Sequence, residues 1–301
     1  MRETGIVVVG AGPAGVAAAA QCARLGIVPG ILDRTGRAGG LVASGFLIEN
    51  YPGLEEPLPG PGLARRFAAH LERFGLSVLT ESVTRVEPRG DRWLVTTDAG
   101  NRLAGAVLLC VGTRPRPWSV PGVGSAGAGR VFHDVRDLLG RFPEPRRVLV
   151  VGGGEAAFDF ALSLARTGAG VSILVRSAAP RAVGRLLSLA AGEPRIRVET
   201  AVRAVALEPA ANGVTAVLET ARSVERRVVD AVLAAVGRES GVDGLLPESL
   251  RAGMRGAIER APGLLVCGDA RLGSLGQTGI AVGDGLAAAS LAMARAREVA
   301  A

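Results

Sequence analysis

Lysine is missing from this 301-residue chain altogether, so all 35 basic side chains are arginines. That removes a lysine Schiff base, a Walker-type lysine and a kinase-type lysine from consideration. Aromatic residues are scarce, at 3%. A single-strand nucleic-acid platform built on stacked bases is therefore not expected, and no nucleic-acid partner is assigned. Cysteine occurs three times only, at Cys22, Cys110 and Cys267. No C-x-x-C and no zinc-type spacing can be drawn from them, so no metal site is expected. Each lies in an apolar context, which makes buried, inert thiols the expectation and suits a reducing, cytoplasmic setting. No uninterrupted apolar stretch approaches ~18 residues, so no membrane insertion is expected. A strand is expected within a few residues of the first Met, so no signal peptide is expected.

Glycine, by contrast, is plentiful at 43 residues in a chain that is 48% hydrophobic. No Gly-X-Y period is present, so these glycines serve tight turns and phosphate loops. The length suits one or two α/β domains. The net charge of +7 comes from scattered arginines. It reads either as coding bias or as a preference for acidic or phosphorylated ligands.

The chain opens as strand, glycine turn, helix. Ile6-Val7-Val8-Val9 is a buried-strand run, Gly10-Ala11-Gly12-Pro13-Ala14-Gly15 is the turn, and a helix is expected over Val16–Leu25. The plan recurs 142 positions on. Val148-Leu149-Val150-Val151 is followed by Gly152-Gly153-Gly154-Glu155-Ala156-Ala157 and a helix over Phe158–Ala165. In such a turn the first glycine permits the sharp strand-to-helix bend. The second lets a pyrophosphate approach the backbone, and the third lets the helix pack on the strand. The phosphates then sit on free N–H groups at the positive helix end. In the second copy Ala157 replaces the third glycine and still allows close packing.

The two copies differ where the next strand ends. Asp33 of the first copy corresponds to Val175 of the second, and Arg34 to Arg176. An Asp here accepts from a free ribose 2′-hydroxyl and repels a 2′-phosphate, which suits the adenosine half of FAD. The second copy offers Arg176, with Arg181 nearby, and suits NADPH, with NADH as the alternative. Solvated surface charge is the plain alternative for both arginines.

Taken together the motifs resemble the thioredoxin-reductase-like branch of the two-dinucleotide flavoproteins. The match includes Gly10–Gly15, Gly39-Gly40, Glu49-Asn50-Tyr51-Pro52-Gly53 and Cys110-Val111-Gly112-Thr113. It continues through Val151–Ala157, Gly268-Asp269 and Gly276-Gln277-Thr278. The resemblance implies an α/β fold of two Rossmann-like, three-layer ββα dinucleotide-binding domains, the second inserted in the first. The expected boundaries are 1–115 and 240–301 for the FAD-binding domain and 116–239 for the NAD(P)H-binding domain. It places FAD on Gly10, Gly12, Pro13, Ala14, Gly15, Asp33, Arg34, Gly40, Leu41, Gly112 and Gly268. Asp269 would hold the ribitol, with Asn50, Gln277 and Thr278 beside the isoalloxazine. NAD(P)H would meet Gly152, Gly154, Glu155, Ala156, Arg176 and Arg181. A homodimer is implied by the resemblance alone.

The departures bear on function. Thioredoxin reductases carry a redox C-x-x-C just before the second glycine turn, where this chain has Val131-Phe132-His133-Asp134-Val135-Arg136-Asp137-Leu138. Bacillithiol-disulfide-reductase relatives place a cysteine in the first turn, where this chain has Pro13 and Ala14. The His-Arg-Arg run on the NADPH phosphate is reduced to Val175-Arg176-Ser177. Thioredoxin-reductase-like ferredoxin–NADP reductases also lack the dithiol. They usually carry a C-terminal extension over the flavin; none is expected here, because the sequence stops at Ala301 directly after its last helix. His133 and Asp134 stand where the dithiol would face the flavin. They are either proton movers or acceptor contacts, or the start of a surface helix with Asp134 as its cap. The resulting expectation is an FAD-dependent NAD(P)H oxidoreductase serving a non-dithiol acceptor: ferredoxin, flavodoxin or another small acidic redox protein, a quinone or a small molecule. A disulfide reductase using Cys22, Cys110 or Cys267, and a flavin-binding sensor or scaffold with little turnover, are the competing readings.

Overall fold

The computed structural model describes residues 2–251, 259–273 and 276–300. The chain divides into two compact units. One comprises Met1–Ala43, Ile48–Arg114 and Glu239–Ala301, the other Ser44–Leu47 and Pro115–Arg238.

In the first unit β1 (Arg2–Val9) feeds α1 (Pro13–Arg24) and β2 (Gly30–Asp33). A 3-10 turn at Gly40–Ser44 and α2 (Gly60–Arg73) follow. Then come β3 (Val78–Thr80), β4 (Val83–Arg89), β5 (Arg92–Thr97) and β6 (Gly100–Leu109). β7 (Thr113–Pro115) leads away from this unit.

The second unit holds β8 (Val131–Phe132), α3 (Val135–Arg141), β9 (Arg147–Val151), α4 (Glu155–Ala165) and β10 (Gly170–Val175). α5 (Gly184–Ala191) and β11 (Ile196–Thr200) come next. β12 (Arg203–Ala210), β13 (Gly213–Glu219), β14 (Val224–Val229) and β15 (Ala231–Ala234) complete it. β16 (Arg238–Ser240) returns alongside β7. The first unit is finished by α6 (Glu248–Arg251), β17 (Glu259–Ala261), β18 (Leu264–Val266), α7 (Asp269–Leu272) and α8 (Thr278–Ala300).

β18, β6, β1, β2 and β3 pair in parallel, in that order. Alternate side chains of β1 enter different cores. Ile6 and Val8 pack with Ala18, Leu63, Phe67, Ala288 and Ala292 of the helices. Val7 and Val9 pack with Val86, Trp93 and Val95 of the antiparallel β4–β5 layer. Both faces are covered there, so the Ile6–Val9 half of β1 reads as an unbroken apolar run rather than an alternating one.

The second unit repeats this arrangement on the parallel sheet β11-β10-β9-β15-β8. Val148 and Val150 meet Leu138, Phe158, Leu164 and Ala190 of the helices. Leu149 meets Val214, Ala216 and Leu218 of the antiparallel sheet β12-β13-β14. Each unit is therefore a Rossmann-like stack of helices, parallel sheet and antiparallel layer, as the sequence led one to expect.

Both fingerprint helices start three residues earlier than their apolar periodicity suggests. Pro13 lies in the first turn of α1, where its fixed φ is already helical and its missing N–H costs nothing. Glu155 opens α4, where its charge complements the helix dipole. Among the described residues no helix is long and apolar enough to cross a membrane.

Candidate functional site

The two glycine turns lie at the C-terminal ends of β1 and β9, the edge at which open parallel sheets bind ligands. In each turn the three positions do different physical work. A β-carbon placed on Gly10 would lie 2.5 Å from the Cys110 carbonyl oxygen, and one on Gly15 would lie 1.9 Å from the Gly10 carbonyl oxygen. These glycines are required by the fold. Gly12 has an ordinary extended backbone (φ −71°, ψ −176°), and the closest atom to its added β-carbon is Gly40 Cα at 4.0 Å.

The second turn follows the same division. A β-carbon on Gly152 would lie 2.3 Å from the Ala235 carbonyl oxygen, and one on Gly153 would lie 2.8 Å from Val175 Cγ1. Gly154 is extended (φ −95°, ψ 178°), with nothing within 4 Å of its added β-carbon. The third position is Ala157, fully buried against the sheet. Gly12 and Gly154 are also the N-caps of α1 and α4, and neither helix has a side-chain cap. Each middle glycine thus leaves open space beside an uncapped, positive helix end, space that a side chain would begin to occupy.

Around the first turn, Asp33 closes β2 and fixes the loops. Its Oδ2 accepts from the Ala11 N–H at 3.0 Å, and its Oδ1 accepts from the Thr35 N–H and hydroxyl at 2.8 and 2.6 Å. Gly39 N–H donates to the Ala11 carbonyl at 2.8 Å, which brings Gly40 against Gly12. Leu41 is half-buried beside it and Arg34 is exposed. Gly268 lies against Ala14, and Gly112 accepts from the Gly241 N–H at 2.9 Å. Asn50 Nδ2 donates to Gln277 Oε1 at 2.8 Å, just ahead of Thr278 at the start of α8. Residues read separately from the sequence are thereby brought into one neighbourhood.

At the second turn, the Arg181 N–H donates to the Gly153 carbonyl at 2.6 Å. Arg176, Arg181, Glu155 and Ala156 are exposed. Val175 is buried against Gly153 and presents no acid to this edge.

His133 Nδ1 lies 3.1 Å from the Ala234 carbonyl oxygen. Asp134 caps α3 by accepting from the Arg136 N–H at 2.8 Å, and it also accepts from the Ser44 hydroxyl at 2.7 Å. Burial pushes the Asp134 carboxyl up. Hydrogen bonds from Arg136 and Ser44 overcome that and hold it below the usual range. The neighbouring Phe46 N–H donates to both oxygens of Asp159, at 3.0 and 3.1 Å, and the Arg166 guanidinium sits 3.6 Å over the Phe46 ring. Burial raises the Asp159 carboxyl from 3.8 to about 6, against the Phe46 hydrogen bond and the Arg166 charge.

A pH dependence follows. The unfolded chain releases this proton near 3.8, while the folded protein keeps it to about 6. Between those values the native state binds more protons, so stability falls as pH rises through that window and stays reduced above it. Asp159→Asn keeps an acceptor for Phe46 and removes the charge. It should flatten this slope and add on the order of 2 kcal/mol at pH 7–8. Denaturant unfolding of both proteins from pH 4 to 8 measures it, and parallel curves would refute it.

The cysteines are all buried. Cys110 and Cys267, distant in sequence, have sulfurs 3.6 Å apart because they follow the paired ends of β6 and β18. Burial pushes the Cys22 thiol up to about 11, and the contact with Cys267 together with burial pushes Cys110 well up.

Two contributions escape the motifs. One is the Ser44–Leu47 segment, held by Asp134, Asp159 and Arg166. The other is Asp284 on α8, whose one sequence signal is that it is the sole charged residue between Thr278 and Met293.

The profile of the family described as pyridine nucleotide-disulphide oxidoreductase matches residues 4–285. A thioredoxin reductase of Treponema pallidum is 30% identical over 300 residues, covering 95% of each chain. One from Streptomyces clavuligerus is 32% identical over 192 residues, covering 64% of this chain and 59% of that one. Ferredoxin–NADP reductase 1 of Cupriavidus metallidurans is 35% identical over 218 residues, covering 64% and 58%. In three dimensions the chain is similar to the thioredoxin reductase of Lactococcus lactis, with TM-score 0.87, 27% identity and coverage of 98% and 99%.

Proposed function

Since the chain belongs to the pyridine nucleotide-disulphide oxidoreductase family, whose FAD-dependent, NAD(P)H-using class it shares, we propose that it oxidises NADPH and delivers the electrons to an acceptor other than a dithiol. The observation that carries this reading is the pair of open cradles at Gly12 and Gly154 in a chain whose only thiols are buried. We assign the first unit to FAD and the second to the nicotinamide cofactor.

When bound, FAD would supply the hydride- and electron-transfer chemistry between NADPH and the acceptor. This chain's residues bind and orient. The uncapped end of α1 receives the FAD pyrophosphate over Gly12. Asp33 spends one lone pair of Oδ2 on Ala11 and keeps another for a ribose hydroxyl. Asp269, Asn50, Gln277 and Thr278 are assigned to the ribitol and ring end. In the second unit α4 receives the pyrophosphate over Gly154, and Arg176 and Arg181 receive the 2′-phosphate. Asp134 already spends its carboxylate on the cap and Ser44, which favours a structural part for it. His133, held through Nδ1, remains assigned to the acceptor side.

Arg176→Ala should raise the KM for NADPH about ten-fold or more while leaving that for NADH within two-fold, since one charge-assisted contact is lost. Steady-state rates with both donors decide this, and an equal change for both would count against the assignment.

Anaerobic titration of the purified protein with NADPH and then NADH tests the main reading. Bleaching of a flavin spectrum supports it. A protein without flavin, or a flavin that neither donor bleaches, overturns it. Ferredoxin, flavodoxin and quinones are the acceptors to supply. A disulfide-reductase reading draws on the 3.6 Å approach of Cys110 and Cys267. Their burial opposes it, because the thiolate is the nucleophile. The Cys22→Ser, Cys110→Ser, Cys267→Ser variant should keep more than half of wild-type NADPH oxidation, and loss of turnover with flavin retained would favour the thiols.

A further inference from the structure

We propose that Asp284, bridged to Arg271, is a positioning residue that sets the Gly268–Asp269 turn for the flavin; this rests on the assignment of FAD to the first unit. Asp284 is 9% exposed, in the first half of α8. Its Oδ2 accepts from the Gly268 N–H at 3.0 Å and from Arg271 Nε at 3.1 Å, and its Oδ1 accepts from Arg271 Nη2 at 2.5 Å. One carboxylate therefore grips the residue before Asp269 and the residue two after it.

The turn needs such a grip. Gly268 has φ 65° and ψ −149°, a conformation that is essentially glycine's alone. Its N–H is directed into the protein, and without a partner it would be a buried, unsatisfied donor. Gly276 presses on the Asp269 carboxylate from the other side, since a β-carbon there would lie 2.2 Å from Asp269 Oδ1.

Asp284 is itself fixed to the flavin-binding helix. The next residue, Gly285, touches α1 so closely that an added β-carbon would lie 2.1 Å from the Ala14 carbonyl oxygen. A β-carbon on Gly268 would lie 3.0 Å from Ala14 Cβ. Ala14, in the first turn of α1, is the common neighbour. The carboxylate thus ties the Gly268–Asp269 turn to the end of α1 that receives the pyrophosphate. Arg271 neutralises the Asp284 carboxylate. A buried ion pair is a poor source of stability compared with apolar packing. Its presence here is explained by the geometry it imposes.

The test uses the flavin-loaded protein. Asp284→Asn keeps one acceptor but removes the negative charge that meets Arg271, and Arg271→Gln makes the complementary change. Each should release FAD about ten-fold faster or more after dilution, read as the rise of free-flavin fluorescence, with an altered visible flavin spectrum. The double variant should release FAD more slowly than the two single effects multiplied together. Arg227→Gln, which breaks the Arg227–Glu199 pair in the second unit, is the comparator for a merely structural loss and should leave release and spectrum unchanged. If Asp284→Asn does not fold, Arg271→Gln decides alone. Wild-type release and spectrum in a folded variant overturn the positioning role while leaving the FAD assignment intact. A wild-type protein that carries no flavin overturns both.

Discussion

Gly12→Ala yields a folded protein that has lost FAD, with affinity reduced about 100-fold or more. The backbone at Gly12 is one that any residue adopts, and the nearest atom to an added β-carbon is 4.0 Å away. The substitution should leave the unfolding of the flavin-free protein within about 1 kcal/mol of wild type. On the assignment proposed above, the methyl group would occupy the space meant for the pyrophosphate at the helix end, and a displaced phosphate would lose several charge-assisted hydrogen bonds at once. Gly154→Ala is its counterpart. It should keep FAD and raise the KM for NADPH to a similar degree. Gly15→Ala behaves differently, because a β-carbon 1.9 Å from the Gly10 carbonyl oxygen damages fold and binding together. Flavin retention, thermal unfolding without flavin and steady-state rates separate the three. A Gly12→Ala protein that binds FAD as wild type does would remove the pyrophosphate from this cradle.

Arg102→Leu destabilises the first unit by about 3–5 kcal/mol. Arg102 lies on β6 with 8% of its side chain exposed and meets Glu81, 9% exposed, through two contacts. Thr97 adds a hydroxyl donor to Glu81 at 3.1 Å. Removing the guanidinium takes a bidentate cationic partner from a buried carboxylate, and that is the costly change. The Arg102→Leu, Glu81→Leu double variant should recover most of the loss, since apolar groups of similar volume carry no charge to desolvate. Denaturant titration of the two variants measures this. The pair also bears on the site proposed for FAD, because the Glu81 N–H donates to the Asp33 carbonyl at 3.1 Å. If the single variant is as stable as wild type, the pair does not stabilise the first unit.

What could be read from the sequence is what acts locally. The apolar runs at Ile6–Val9 and Val148–Val151, the glycine turns and the Asp33/Val175 contrast each involve neighbours along the chain or a repeated unit. The helix starts were misplaced because hydrophobic spacing detects the buried face of a helix, and Pro13 and Glu155 sit ahead of that face. The contacts that escaped are products of long-range pairing. Cys110 meets Cys267 only because β18 aligns beside β6. Asp284 reaches Gly268 only because α8 folds back on that turn, and Phe46 meets Asp159 across more than a hundred residues. No spacing rule encodes such meetings.

The pairing of β6 with β18 also has a consequence in time. During translation the edge of β6 at Val107–Leu109 stands open while the following 154 residues are made, until Leu264–Val266 emerges to cover it. At roughly 5–20 residues per second, that is about 8–30 seconds of exposed sheet edge on the ribosome. Apart from Ser44–Leu47, the second unit is one continuous stretch and can fold within that interval. The nascent chain therefore passes through a stage in which its inserted part is finished and its outer part is not. In that stage the Val-Leu-Leu edge is open to pairing with a strand of another chain.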